Sequence, residues 1–385
     1  MRRMGSISSR KESEKSQRPS ELGEIRMRRR AAATIVLSAV VAATVSYGWV
    51  SAIAIGYFGE PIGGSSADWE AFTLGLRQFS RVWLIDDGAG PEFNGRSCMA
   101  CHAVPMPGGA GLAKSTFVLV SAQIHDEAGG NVFQRLQRTP GGIVSRTPPD
   151  ALRQRKAPSL FGLGLLEAIP VEQLLQPMPG PDQINGRPGG MDIRFGRFGW
   201  KAGIPDLEEF VRRAFAIELG FGLKASRGLS DPSLEYAIGQ VTSFVRMLAP
   251  PPSKRSMTEI ELTGERLFGQ IGCAQCHRPS LSATYLQGST VLHEQINAYT
   301  DLLLHDMGTV LADGIKQGKA GESDFRTAPL WGLTSSGPPY LHDGRANDLV
   351  QAIDQHNGEA RNSRLRWQTL SGEERGALLH FLRML

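Results

Sequence analysis

The chain has 385 residues, 41% hydrophobic and 21% charged, which is enough for ordinary cores in two domains and excludes an intrinsically disordered chain. Gly 45 and Pro 23 make it loop-rich, and with only 7% aromatic residues something other than aromatic side chains is expected to fill part of the core. The net charge of +4 does not point to nucleic acid: ten of the 42 basic and four of the 38 acidic residues fall in the first thirty positions, leaving 32 against 34 elsewhere.

In chain order, residues 1 to 30 are a basic tail. Residues 31 to 57, AAATIVLSAVVAATVSYGWVSAIAIGY, carry no charge and are long enough to cross a bilayer. Arg28 to Arg30 before this run hold the amino terminus on the cytoplasmic side, so everything after it is expected outside. The run reads as an uncleaved anchor. Ala52-Ile53-Ala54 also resembles a cleavage site, so a removed signal segment is the other reading. Apolar residues at helical spacing predict helices over 67–83 and 206–220, the second ending at Gly220. Asp231 as N-cap and Pro232 in the first turn predict a helix over 231–249. The APPPSKR segment, 249–255, stops it and marks a boundary between domains at 58–249 and 250–385. A closing helix begins at Ser371, with Glu374 spaced for a capping box. No long β pattern is evident.

All four cysteines lie in two motifs, Cys98-Met99-Ala100-Cys101-His102 and Cys273-Ala274-Gln275-Cys276-His277. C-x-x-C-H reads as covalent attachment of a c-type haem. On a helical turn, positions i, i+3 and i+4 share a face, so both thiols reach the porphyrin vinyl groups while the histidine turns toward the iron as proximal ligand. Ser97 suits the N-cap of the first turn. Paired C-x-x-C motifs also build zinc sites, but those usually sit about 15 to 20 residues apart, whereas 171 residues intervene here. A disulfide or thiol redox pair leaves both histidines unexplained. Two covalent haems use all six residues.

Each motif is followed, about fifty residues on, by a related segment: RKAPSLFGLGLLEAIP at 155–170 and RTAPLWGLTSSGPPYLHDG at 326–344. Arg155 matches Arg326, and the chain reads as a diverged duplication with one haem per half. Both arginines are candidates for haem propionates. In NDLVQAIDQHNGEA, 347–360, Asp348 can cap a short helix on which Leu349, Ala352, Ile353 and His356 share one face. His356 is therefore expected to point inward; a surface histidine complementing the helix dipole is the competing reading.

The order GPEFNGRSCMACH, LFGLGLLEAIP, RFGWKA, GCAQCHRP, YTDLLLHDMG, RTAPLWGL, LHDGRA and QHNGEA resembles the di-haem oxidoreductase family of peroxidase-like proteins, over nearly all of residues 60 to 385. That family is similar to the bacterial di-haem cytochrome c peroxidases and to the di-haem enzymes that mature methylamine dehydrogenase. The resemblance implies a mainly α fold of two cytochrome c-like haem domains. It further implies an amino-terminal haem that meets peroxide and a carboxy-terminal haem that passes electrons from a donor protein or quinol-linked partner. It also places the catalytic region in the bacterial periplasm, tethered to the inner membrane through residues 31 to 57, or free there if the segment is cleaved.

His125 is the nearby candidate for a distal ligand of the first iron, although its Gly-rich loop suits a solvated histidine better. Glu167, in an apolar stretch where the similar peroxidases also carry a glutamate, is the candidate acid-base group for peroxide cleavage, with a structural capping role as the alternative. His356 stands where those peroxidases carry an axial methionine, and is expected to make the second iron bis-histidine and lower its potential. His305 and Met307 are ligands by type, but the similar stretch lines the pocket without binding iron. His342 is expected to hydrogen-bond near the second haem, and Trp200 to sit in the core. Two functions follow: a peroxidase-like enzyme, or a membrane-tethered electron carrier without chemistry of its own.

Overall fold

The computed structural model describes residues 61–385 apart from 63–64, 125–130, 150–151, 223–224, 226–227, 229–230, 252–255 and 288–289. The basic tail, the apolar run at 31–57 and His125 lie outside the described residues. Among the described residues no helix is long and apolar enough to cross a membrane.

Tyr57–Leu385 forms one compact unit in which each half is built on a crossed pair of helices. In the first half, α1 (Ser66–Ser80) starts at a capping box made by Ser65 and Asp68. It crosses a long helix, Pro232–Met247, which starts at Asp231 with proline in its first turn. Gly75 makes the crossing possible: a Cβ there would lie 2.3 Å from the Gln240 carbonyl oxygen and 2.5 Å from the Phe244 Cβ. Between them come α2 (Leu163–Glu167) and α3 (Leu207–Ile217), so Pro232–Met247 is α4. The second half repeats the device. Helix α5 (Glu259–Gln270), capped by Thr258 and Glu261, crosses the closing helix Gly372–Met384 at Gly264, whose Cβ would fall 2.2 Å from the Ala377 oxygen. The last helices are α6 (Leu349–Asp354), α7 (Arg361–Thr369) and α8 (Gly372–Met384), the last with the expected Ser371–Glu374 box. In both halves the C-x-x-C-H motif follows the first helix of the pair and the arginine-bearing echo precedes the second.

The fold is mainly helical, with short strands between helices. β1 (Glu92–Phe93) pairs antiparallel with β4 (Leu136–Thr139), which pairs with β5 (Gly142–Ser145). β2 (Val118–Val120) lies between β3 (Val132–Phe133) and β6 (Arg153–Arg155). One element departs from the sequence expectation. Residues 281–296 form a hairpin of seven-residue strands, β7 (Leu281–Gln287) and β8 (Thr290–Ile296), in register from Leu281–Ile296 to Gln287–Thr290.

That hairpin ties the halves together. Leu281, Ala283 and Ile296 are buried in the same apolar cluster as Phe79, Trp83, Phe161, Phe215 and Phe244 of the first half. Ser282 N donates to Gln173 Oε1 at 2.6 Å and Thr284 N to the Ala168 carbonyl at 3.0 Å. Arg278, also buried, donates to the carbonyls of Gln173 and Gln176. A second cluster, including Phe268, Tyr299, Trp367 and Phe381, fills the other half. β9 (Leu304–Asp306) and β10 (Asp324–Arg326) pair antiparallel beside it.

Candidate functional site

Each C-x-x-C-H motif forms a 3-10 turn, Cys98–Ala100 and Cys273–Gln275. The first is capped as expected, with Ser97 Oγ accepting from Met99 N at 3.3 Å; the second starts from Gly272 at φ +95, a backbone state that glycine adopts without strain. In both turns the histidine N–H donates to the carbonyl of the first cysteine at 3.0 Å, which brings both thiols and the ring close together. All four cysteines are free and half-buried. Burial pushes the Cys98 thiol up to about 12, Cys101 to about 11 and Cys273 to about 12, so they stay neutral.

Both motif histidines are oriented by backbone carbonyls. His102 Nδ1 lies 3.0 Å from the Pro158 oxygen and 3.1 Å from the Gly109 oxygen; His277 Nδ1 lies 3.0 Å from the Tyr299 oxygen. A carbonyl at Nδ1 requires the proton there, which leaves the Nε2 lone pair for a metal. Tyr299 has φ +52, a left-handed state that disfavours a side chain, so the carbonyl that fixes His277 sits on strained backbone.

Across the second site, α6 runs from its Asp348 cap, with Asp348 Oδ1 accepting from Gln351 N at 2.8 Å. Leu349, Ala352, Ile353 and His356 line a cavity of about 310 Å³ together with Cys273, Cys276 and His277. His356 Nδ1 lies 2.7 Å from the Ala352 oxygen, so this ring too presents Nε2 as a base. Burial lowers the proton affinity of His356; burial first and then the nearby His356 ring hold His277 at about 4. Two neutral imidazoles thus face one apolar cavity.

The matched arginines have different surroundings. Arg155 is paired with Asp313 at 2.6 Å and donates to Gln317 Oε1 at 3.1 Å. Arg155 is thus engaged with a carboxylate of the chain itself. Arg326 lines the cavity, buried, with Nε on the Gly199 oxygen and Nη1 on the Thr327 oxygen; no carboxylate pairs with it among the described residues. Burial lowers it to about 10. Lys156, the residue after Arg155, lines the same cavity with Nζ on the carbonyls of Pro339 and Gly337 at 2.7 and 3.3 Å. The sequence carries no signal for Lys156, since its counterpart in the echo is Thr327.

His305 is 2% exposed and is closed to iron: Nε2 lies 2.9 Å from Asp301 Oδ2 and Nδ1 2.7 Å from Glu359 Oε2. Burial alone would lower its proton affinity, but the hydrogen bonds to Asp301, Cys276 and Glu359 push it up to about 12. Met307 lines the cavity, with its backbone N–H on the Ser323 oxygen at 3.0 Å. His342 lies on the cavity wall, stacked on Phe325 at 3.9 Å between ring centroids, with Trp200 at 6.3 Å. Trp200 is half-buried, not a core indole; it lines the cavity and donates Nε1–H to the Lys156 oxygen at 2.9 Å.

Glu167 ends α2 and does not line this cavity. Its Oε1 accepts from Leu207 N at 2.7 Å, capping α3, and Oε2 accepts from Arg246 Nε at 2.7 Å. The carboxylate expected to assist peroxide cleavage is held in a capping role.

Residues 201–385, which include the second C-x-x-C-H motif, Arg326 and His356, match the family described as "Di-haem oxidoreductase, putative peroxidase". Over this region the chain is similar to the di-haem oxidoreductases, a family named for its two haems. Among solved structures, one similar to the chain is hydrazine synthase of Kuenenia stuttgartiensis, pressurized with 20 bar xenon: 16% identity, TM-score 0.40, over 82% of this chain and 87% of that one. Another is the diheme peroxidase BthA from Burkholderia thailandensis E264, at 15% identity and TM-score 0.37 over 82% and 86%. No curated protein matches the chain.

The residues present fit a haem at the second site. The cavity offers two neutral imidazoles with free Nε2, two thiols, apolar walls that include Phe268, Ile271 and Leu382, and two buried cations suited to carboxylate groups.

Proposed function

We propose that the protein carries two c-type haems joined through Cys98 and Cys101 and through Cys273 and Cys276, with His102 and His277 as proximal ligands and His356 opposite His277. One observation supports this most: His277 and His356 line one cavity, each with Nδ1 tied to a carbonyl and Nε2 left as a base. When bound, haem iron supplies one-electron transfer and peroxide activation. The chain's own part is to present each cysteine pair on one turn with its histidine, to fix the rings in one tautomer and to set the positive charges of Arg326 and Lys156 against the haem carboxylates.

We read the first site as the one that meets hydrogen peroxide. The second, with two imidazoles, suits electron relay from a donor protein or quinol-linked partner toward the first. Residues 31 to 57 tether the protein to the bacterial inner membrane, with the catalytic region in the periplasm. Haem-stained denaturing gels and intact mass test the foundation: two haems per chain are expected, and one or none ends the reading. Half-reduced protein is expected to change its spectrum on adding peroxide or cyanide; no response leaves an electron carrier. His356→Ala is expected to turn one haem from low-spin to high-spin.

A further inference from the structure

The loop after β9 and the turn that carries His356 interlock. Gly358, at φ +56, leaves no room for a side chain, since a Cβ would fall 2.2 Å from the Asp306 oxygen and 2.6 Å from Gly308 N. Gly308, at φ +73, faces Gly358 N in the same way, at 2.9 Å. Across this seam Glu359 Oε1 accepts from Asp306 N at 3.1 Å, and Glu359 Oε2 from His305 Nδ1 at 2.7 Å. His305 Nε2 donates to the buried Asp301. With carboxylate oxygens at both ring nitrogens, both must carry hydrogen, so the ring is a cation held between two anions. Its Nδ1 also lies 3.5 Å from Cys276 Sγ. One buried ring therefore touches the residue before His277 and, through Glu359, the segment three residues after His356.

Helix α6 does not fix that turn by its own burial, for none of its residues is fully buried. We propose that His305 and Glu359 form a latch that positions His356: the charged hydrogen bond holds the turn against β9, and without it His356 leaves the second iron. The proposal rests on His356 being the distal ligand. Asp301 anchors the latch from beneath, with Oδ1 accepting from Leu303 N at 3.0 Å.

The test uses the full-length haem-loaded protein and two readouts: the low-spin signal of the second haem and the rate at which cyanide enters it. His356→Ala is the reference and is expected to be high-spin. Glu359→Ala is expected to give a mixture of low-spin and high-spin second haem, with cyanide entry at least tenfold faster than in wild type. Glu359→Gln, which keeps an acceptor oxygen, is expected to recover most of the low-spin signal. His305→Ala leaves Asp301 buried without its partner and can fail to fold; Glu359, whose side chain is 29% exposed, decides the matter alone. If Glu359→Ala keeps wild-type spectrum and cyanide rate while His356→Ala turns high-spin, the latch is overturned and the ligand assignment stands. If His356→Ala stays low-spin, the ligand assignment falls and the latch with it.

Discussion

Arg155 and Asp313 form a buried pair that joins the two halves, Arg155 donating from Nε at 3.0 Å and from Nη2 at 2.6 Å to Asp313 Oδ2. The other oxygen accepts from Lys201 Nζ and from Ile315 N, each at 3.0 Å. Lys201 is wholly buried, lies 4.0 Å over the Phe325 ring and also donates to the carbonyls of Gly321 and Glu322. Removing Asp313 strands two cations without water. Asp313→Ala is therefore expected to lose about 3–5 kcal/mol of unfolding free energy in denaturant titrations, whereas a loss under about 1 kcal/mol would mean the cluster relaxes into solvent.

Glu167 is expected to matter for stability before chemistry. Glu167→Ala removes both the acceptor for Leu207 N and the pair with Arg246; the side chain of Arg246 is 47% exposed, so the pair itself contributes little. Together they are worth about 1–2 kcal/mol. Glu167→Gln keeps an acceptor for α3 and is expected to leave the rate with peroxide unchanged. A fall of about a hundredfold or more would restore an acid-base role.

His342 gives the protein an acid-sensitive element. Burial, its largest influence, holds the ring at about 4, against 6.5 for a free histidine. The unfolded chain then binds more protons between those values, so stability is complete above pH 6.5 and declines as pH falls toward 4. The full loss is about 3 kcal/mol at 1.36 kcal/mol per tenfold in affinity. His342→Phe, which keeps the stack on Phe325, is expected to flatten this part of the melting-temperature profile of the haem-loaded protein. An unchanged slope would assign it to other groups.

Gly264 is expected to be intolerant of even a methyl group, because the Ala377 oxygen lies 2.2 Å from the position of its Cβ. Gly264→Ala must push α5 off α8, costing about 1–3 kcal/mol as overpacking does. Thermal melts against the control Gly269→Ala, whose Cβ would meet nothing within 4 Å, separate this from helix propensity. Equal melting temperatures for the two variants would show that the crossing yields.

The two C-x-x-C-H turns, the capped helices and the inward face of His356 were legible because each depends on local spacing: i, i+3 and i+4 on a turn, or a cap three residues from its partner. Glu167 was not. Its apolar neighbours announce that α2 is buried, but Arg246 lies 79 positions away and only the tertiary fold brings it there. Arg155 and Arg326 show the same limit, since related local sequence placed one on Asp313 and the other on the cavity wall. The β7–β8 hairpin did leave a signal: Thr284 and Tyr285 on one side and Thr290 and Val291 on the other stand near a two-residue Gly-Ser link, the pattern of a tight hairpin. The orienting carbonyls of Pro158, Gly109 and Tyr299 left none, because a backbone oxygen belongs to every residue alike.

The hairpin also sets an order of assembly. Leu281, Ala283 and Ile296 are emplaced in the core that surrounds Phe79 and Trp83, some two hundred positions before them in the chain. As the polypeptide emerges from its amino end, the Cys98 turn is therefore exposed long before that core can close. Such long-range pairing is slow to form and leaves apolar surface open in the meantime. If the first cysteine pair takes a haem as proposed, that interval, before residues 281–296 complete the cluster against which Cys98 packs, is when it is open to attachment. In this chain the late-made half acts as the lid on the early-made one.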